Sequence, residues 1–249
     1  MLAPRYRFEN ASDFGLHLCG GWTRRHRHSG VCLAMVRLLL LGASGVVGRA
    51  VLQLALEHQE VAAVIAPTRN ALPSHGKLTN PVTAELESLL PQAIEWWSID
   101  AVICALGTTM RKAGSQKSFY RVDHDLPVVF ARAARLRGAE AFALVSAIGA
   151  SSSSRFFYPR IKGETEMDIQ SVGFESLTIL RPMIIEGERG EFRLGESIVL
   201  RMVQVFGPIL PRRLRANPAS TIARVALEAV VNPRPGVHVV FTQDLTARG

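Results

Sequence analysis

The sequence predicts an α/β fold, a doubly wound parallel sheet of about seven strands with helices on both faces. Two observations predict it. From Val36 onward, short β-rich apolar runs alternate with longer stretches of helical periodicity, the pattern of successive βαβ units. Between the first run and the first helical stretch stand Gly42, Gly45 and Gly48, a glycine-rich turn of the kind that opens a nucleotide-binding unit.

Taken in order, strands are expected near 36–41, 61–66, 81–84, 100–105, 141–146, 176–181 and 237–241. Helices fit 46–57, 86–90, 116–137, 157–172, 196–205 and 218–230, with Pro91 and Pro211 at breaks between elements. A length of 249 residues suits one such domain, here 35–249. Residues 1–34 carry no sustained periodicity and are expected to be a disordered extension, or an upstream start that the working protein does not use.

Composition narrows the function classes. Apolar residues make up 48% and charged residues 20%, which is globular. The net charge of +8 raises nucleic acid as a partner, but the arginines are spread along the chain and no nucleic-acid motif accompanies them. Cys19, Cys32 and Cys104 cannot close a disulfide framework, and Cys19, His26, His28 and Cys32 match no common zinc spacing. Residues 24–43 imitate a secretory signal, yet Arg37 interrupts the apolar stretch and its second half is needed as the first strand. With no run of about 18 apolar residues, the expectation is a cytoplasmic protein with neither membrane nor nucleic-acid partner and no metal. A protein partner stays open.

The glycine turn runs Gly42, Ala43, Ser44, Gly45, Val46, Val47, Gly48, giving G-x-x-G-x-x-G in a Rossmann-like setting. Gly42 permits the tight turn, Gly45 removes a side chain that would block a pyrophosphate, and Gly48 lets the helix pack close to the sheet. The helix start then offers backbone N–H groups and a positive dipole end to phosphates. After the second strand, where an acid would hold a ribose 2′-hydroxyl, the chain reads Ala66, Pro67, Thr68, Arg69, Asn70. Arg69 suits a 2′-phosphate, so NADP(H) is favoured over NAD(H). The fourth strand ends in Leu106, Gly107, Thr108 and Thr109, where the glycine can bring backbone against a cofactor.

Tyr158 and Lys162 are four apart in a helical segment and share a face. Ser146 ends the fifth strand. An ammonium beside a phenol favours the phenolate, which lets Tyr158 exchange a proton with a carbonyl or alcohol oxygen that the Ser146 hydroxyl holds. NADP(H) would carry the hydride.

These motifs, at 41–48, 104–109, 158–162 and 180–182, resemble the atypical short-chain dehydrogenase/reductases. Leu106-Gly107-Thr108-Thr109, Lys112-Ala113-Gly114, Arg121-Val122-Asp123 and Lys162-Gly163-Glu164 are similar to the Tat-interacting oxidoreductase-like branch, over roughly residues 36–242. The resemblance implies NADPH held at Ser44, Gly45, Val46, Val47, Arg69, Leu106, Gly107, Tyr158 and Lys162, with the loop carrying Ile185 and Arg193 closing over it. Many relatives place an asparagine where this chain has Asp123; an anion there strengthens the lysine charge pair and alters the tuning of Tyr158.

The substrate side is expected at about 182–216, which is charged, poor in aromatics and names no substrate. Within it, Arg212, Arg213 and Arg215 fit a solvated basic loop better than an anion site. Three readings follow: an oxidoreductase acting on a small carbonyl or alcohol, an NADPH-binding regulatory or interaction protein with little catalysis, and, more weakly, a nucleotide-sugar epimerase-like enzyme.

Overall fold

The computed structural model describes residues 35–90, 98–183, 185–186, 217–241 and 244–245. Strand β1 (Val36–Leu41) leads into helix α1 (Val46–Glu57), then come β2 (Val61–Ile65), β3 (Leu78–Thr79), a 3₁₀ turn (Leu86–Leu89) and β4 (Ala101–Cys104). Beyond β4 lie α2 (Met110–Ala113), α3 (Gln116–Tyr120), a π-helical turn (Arg121–Asp125) and α4 (Leu126–Leu136). The chain continues through β5 (Ala141–Val145), α5 (Phe157–Ser171), β6 (Ser176–Arg181), β7 (Ile185–Glu186), β8 (Asn217–Pro218), α6 (Ala219–Val231) and β9 (Gly236–Phe241).

Seven strands form one sheet in the order β3-β2-β1-β4-β5-β6-β9, and every neighbouring pair in it is parallel. The predicted doubly wound α/β architecture is present. Strand order reverses between β1 and β4, and such a switch point opens a crevice at the carboxyl ends of the strands, where ligands bind in sheets of this kind. The short pair β7 and β8 stands apart from the main sheet.

The central strands β1, β4 and β5 are covered on both faces and so are apolar at consecutive positions, whereas the edge strand β9 is largely exposed. Leu38 and Leu40 pack with Val47, Val51 and Ala55 of α1 and with Ile222 and Ala226 of α6. Leu39 and Leu41 point the other way, with Val102, Cys104, Phe142 and Leu144, into a layer closed by Phe130 and Ala134 of α4 and Ile169 of α5. Sealed in that second layer, the Cys104 thiol is pushed up by burial to about 12, so it is an inert core residue.

Three elements differ from expectation. The third strand lies at Leu78–Thr79 rather than 81–84, followed by a single bridge between Thr68 and Val82. Pro81 has no N–H for the ladder, and Asn80 turns its amide onto Ala66 O (2.6 Å) and Thr68 Oγ1 (2.8 Å). The helix expected at 86–90 is only the 3₁₀ turn. The long helix expected at 116–137 is interrupted by the π turn, immediately before Pro127. Proline cannot donate to the carbonyl four residues back, that of Asp123; Thr165 Oγ1 lies 3.0 Å from that oxygen and 2.8 Å from Ile161 O, and its one proton serves either. The helix expected at 196–205 and the N-terminal segment 1–34 lie outside the described residues.

Glycine 48 joins α1 to the turn. A β-carbon there would stand 2.0 Å from Gly42 O and 2.6 Å from Gly42 C, a collision with backbone that no rotamer relieves. Gly48→Ala is therefore expected to lower stability by about 2–3 kcal/mol in urea unfolding. Gly76→Ala, at a position with nothing within 4 Å, should change it by less than about 0.5 kcal/mol. Equal effects at both positions would show that the close approach is not what Gly48 is for.

Candidate functional site

At the carboxyl end of β1 the chain turns at Gly42 with φ +86°, a left-handed conformation, and a β-carbon there would lie 2.6 Å from Ala105 O. The turn is tied by Gly45 N to Gly42 O at 2.9 Å. Gly45 caps α1 in extended conformation, with no side-chain hydrogen bond to the helix and no acid in the first turn. The first N–H groups of α1 thus lack an intrahelical or side-chain acceptor, which is what a phosphate requires. Ser44 is exposed and Val46 half-buried, whereas Val47 and Gly48 are buried. Since the Val47 side chain belongs to the core, any ligand contact from it comes through its backbone.

Two walls flank the turn. On the β2 side, Asn80 and a hydrogen bond from Thr68 Oγ1 to Asn70 O (2.7 Å) brace the segment that carries Arg69. Arg69 itself is exposed, with no ion pair among the described residues. On the β4 side, Leu106 and Gly107 are half-buried, and Thr109 caps α2 by accepting from Lys112 N at 3.1 Å.

The third group radiates from α5. Lys162 Nζ lies 2.6 Å from Asp123 Oδ1, and both side chains are buried. The other carboxylate oxygen, Asp123 Oδ2, accepts from Thr108 N at 2.8 Å, so the π turn is linked to the loop after β4. Burial alone would pull the Lys162 ammonium down, but the Asp123 charge, the electrostatic contact with Tyr158 and the hydrogen bond to Asp123 outweigh it and hold the group above its ordinary value. Tyr158 is half-buried, with its ring against Phe119 edge-on at 5.9 Å. Gly163, next to the lysine, lets the backbone after β5 pass. A β-carbon at 163 would meet Ser151 C and Ser152 N at 2.2 Å, and Ser151 N donates to Pro159 O at 3.0 Å.

Ser146 follows β5, and its side chain has a partner that the sequence reading did not anticipate. It is buried, and its hydroxyl donates to Glu166 Oε1. Arg181 grips the same carboxylate through Nε to Oε1 at 3.0 Å and through Nη2 to Oε2. The guanidinium also lies over the Phe241 ring, 5.8 Å from its centroid. So Tyr158 and Lys162 share one chain of contacts with Asp123, while Ser146 belongs to a second with Glu166 and Arg181. Both start from one ridge of α5, because 158, 162 and 166 are successive i, i+4 positions. Sequence reasoning missed Glu166 and Arg181; continuing the Tyr158, Lys162 spacing one more step would have found the glutamate. The side chain of Ile185, in β7, and all of Arg193 lie outside the described residues.

With this geometry in hand, comparison with known proteins is specific. A family described as NAD(P)H-binding matches residues 42–196, from the first glycine of the turn through α5 and β6. The chain belongs to this NAD(P)H-binding family. It is 38% identical over 210 residues to "Protein fmp52, mitochondrial" of Aspergillus clavatus, covering 78% of this chain and 87% of that one. Protein FMP52 of Candida albicans is 33% identical over 198 residues, with 76% and 85% covered. The chain is thus also a member of the fmp52 group.

Among solved structures, the Bordetella bronchiseptica enzyme WbmH in complex with NAD+ superposes with a TM-score of 0.63 at 15% identity, covering 82% of this chain and 75% of that one. A short chain dehydrogenase family protein from Francisella tularensis gives 0.59 at 15% identity, with 86% and 100% covered. At such identity these neighbours speak for the fold alone. The cytoplasmic expectation is overturned by the relatives, which are named mitochondrial proteins at 33–38% identity. A compartment is carried by targeting, which the apolar pattern of a nucleotide-binding core does not encode. Among the described residues no helix is long and apolar enough to cross a membrane, and no cluster of three or more metal-ligating side chains occurs.

Removing Asp123 tests how much of the site hangs on the buried pair. Asp123→Ala leaves an uncompensated buried ammonium and should cost about 3–5 kcal/mol in denaturant unfolding. Replacing both partners, Asp123→Leu with Lys162→Met, should recover most of that loss. A double variant as unstable as the single would mean that Asp123 matters chiefly as the acceptor for Thr108 N. Since the folded-state pKa of Lys162 is raised, its stabilising contribution is complete below the unfolded value of about 10.4 and is lost as pH rises through the folded one. Stability near neutral pH is therefore insensitive to this titration.

Proposed function

We propose that the chain is an NADPH-dependent oxidoreductase that interconverts a carbonyl and an alcohol on a small substrate. The observation that carries the reading is Tyr158 beside a buried, charged Lys162, on a helix facing the crevice of an NAD(P)H-binding fold. The residues present fit the cofactor: the uncapped start of α1 and the Gly42 turn suit a pyrophosphate, and Leu106 and Gly107 form a wall beside them. When bound, NADPH supplies the hydride. Tyr158 passes its phenolic proton to the substrate oxygen as that oxygen gains negative charge, and the Lys162 ammonium stabilises the phenolate that remains. Asp123 keeps Lys162 charged despite its burial. In the opposite direction the phenolate takes the alcohol proton.

Preference for NADPH over NADH rests on Arg69, exposed and without an ion pair among the described residues, where an acid would select NADH. We extend the mitochondrial location of the fmp52 relatives to this chain. A second reading, an NADPH-binding regulator with little turnover, is favoured by one observation: the Ser146 proton is already committed to Glu166.

Titration calorimetry with NADPH and NADH tests the cofactor assignment. Arg69→Ala should weaken NADPH binding about tenfold and leave NADH unchanged; equal affinities in the parent chain would sink the role of Arg69. Chemistry is tested by offering the NADPH-loaded protein aldehydes, ketones and quinones. Tyr158→Phe should lose about 10²–10⁴ in kcat while still binding NADPH. Turnover surviving in Tyr158→Phe excludes this mechanism, and tight binding with no turnover of any carbonyl favours the regulator.

A further inference from the structure

We infer that Glu166 is a positioning residue that fixes Ser146 as a hydrogen-bond acceptor, so that this hydroxyl holds the alcohol form of the substrate in preference to the carbonyl form. The inference rests on the oxidoreductase reading and deepens it. A serine hydroxyl has one proton to donate and lone pairs with which to accept. In this chain the proton goes to Glu166 Oε1. The polarity of that contact is set from the far side: Arg181 has donors only, and its Nε and Nη2 engage both oxygens of the carboxylate, which as an anion can only accept. Ser146, Glu166 and Thr165 beside it are buried, so water does not compete for the contact.

Ser146 follows the last residue of β5, at the same edge of the sheet as Gly42 and the Leu106–Gly107 wall. With its proton spent, what it offers a ligand there is a lone pair. A carbonyl oxygen, which also brings only lone pairs, gains nothing from it, whereas an alcohol hydroxyl donates to it while Tyr158 is protonated and turns that proton to the Tyr158 phenolate when it is oxidised. Tyr158 is then the donor that a carbonyl meets.

The full chain is tested in two ways. The first needs no turnover. A buried hydroxyl proton held on a carboxylate exchanges slowly, so a proton NMR resonance should be present in the parent, be absent from Ser146→Ala, and shift or exchange out in Glu166→Gln. In that variant Arg181 claims the amide oxygen and turns the amide NH₂ toward Ser146. Glu166→Asp, which keeps the anion for Arg181 but withdraws it by one methylene, should perturb the same resonance and serves if Glu166→Gln does not fold. A resonance unchanged in these variants, or no protected Ser146 proton in the parent, overturns the inference.

The second uses any carbonyl and alcohol pair that the panel turns over. Ser146→Ala should weaken the alcohol, read as its KM, about threefold to tenfold more than the carbonyl. Glu166→Gln should shift the two KM values toward the carbonyl, and do so only while Ser146 is present. A merely structural Glu166 would instead lower both affinities alike and add its effect to that of Ser146→Ala, which would also overturn the inference. Absence of any turnover would fail the oxidoreductase reading, while the hydroxyl resonance still decides how Ser146 is held.

Discussion

Lys162 is a cation placed where a cation is costly, and the structure around the crevice is arranged to keep it charged. Burying an ammonium is tolerable only when an anion faces it and the remaining polar atoms of that anion are also satisfied. Asp123 meets both conditions, with one oxygen on Lys162 Nζ and the other on Thr108 N. Asp123 stands in the π turn at Arg121–Asp125, so the anion that meets Lys162 sits in a local departure from α geometry. Pro127 then leaves the Asp123 carbonyl without its helical donor, and Thr165, one turn beyond Lys162, approaches that oxygen. A single ion pair thus ties together the loop after β4, the π turn and the middle of α5.

The second constraint is steric. Three glycines let backbone meet backbone where a side chain would collide: Gly42 against Ala105, Gly48 against Gly42, and Gly163 against Ser151 and Ser152. The first two bring the start of α1 onto the ends of β1 and β4, so that N–H groups and the β4 wall face one crevice. The third lets α5 lie against the backbone after β5. Charge and packing work on the same helix, because Gly163 adjoins Lys162 and the approach it permits sets how far α5 stands from the sheet.

Much of this was legible in the residues. Buried parallel strands must be apolar at successive positions, so Leu38 to Leu41 announce one; a phosphate turn needs small residues at fixed spacing, so Gly42, Gly45 and Gly48 announce the other half of the unit. The Tyr158 and Lys162 spacing announces a shared helix face. What escaped notice depends on contacts between distant segments. β3 was displaced because Asn80 and Pro81 interact with the end of β2, and no local pattern reports that. The π turn was hidden within an otherwise helical apolar periodicity. Glu166 on a helix and Arg181 at a strand end each read alone as ordinary surface charges; only the fold brings them onto Ser146. Location escaped for another reason, since nothing in the packing of a nucleotide-binding core depends on the compartment that holds it.

The two contact chains on α5 divide one site between opposite hydrogen-bonding polarities. At position 158 the ridge presents a group that can give a proton, backed by a cation; at 166 it presents an anion that removes the donor capacity of the neighbouring serine. On the inference drawn above, an oxygen held between Ser146 and a protonated Tyr158 meets an acceptor and a donor, a combination that an alcohol hydroxyl satisfies completely and a carbonyl only by half. Leaving one of the buried lone pairs of Ser146 unmet costs more than the pairing gains, since the desolvation of an unsatisfied polar atom exceeds the net worth of the bond it would form. On that inference, discrimination begins at the substrate oxygen, before any contact with the rest of the substrate, and the Arg181 clamp on Glu166 sets its direction.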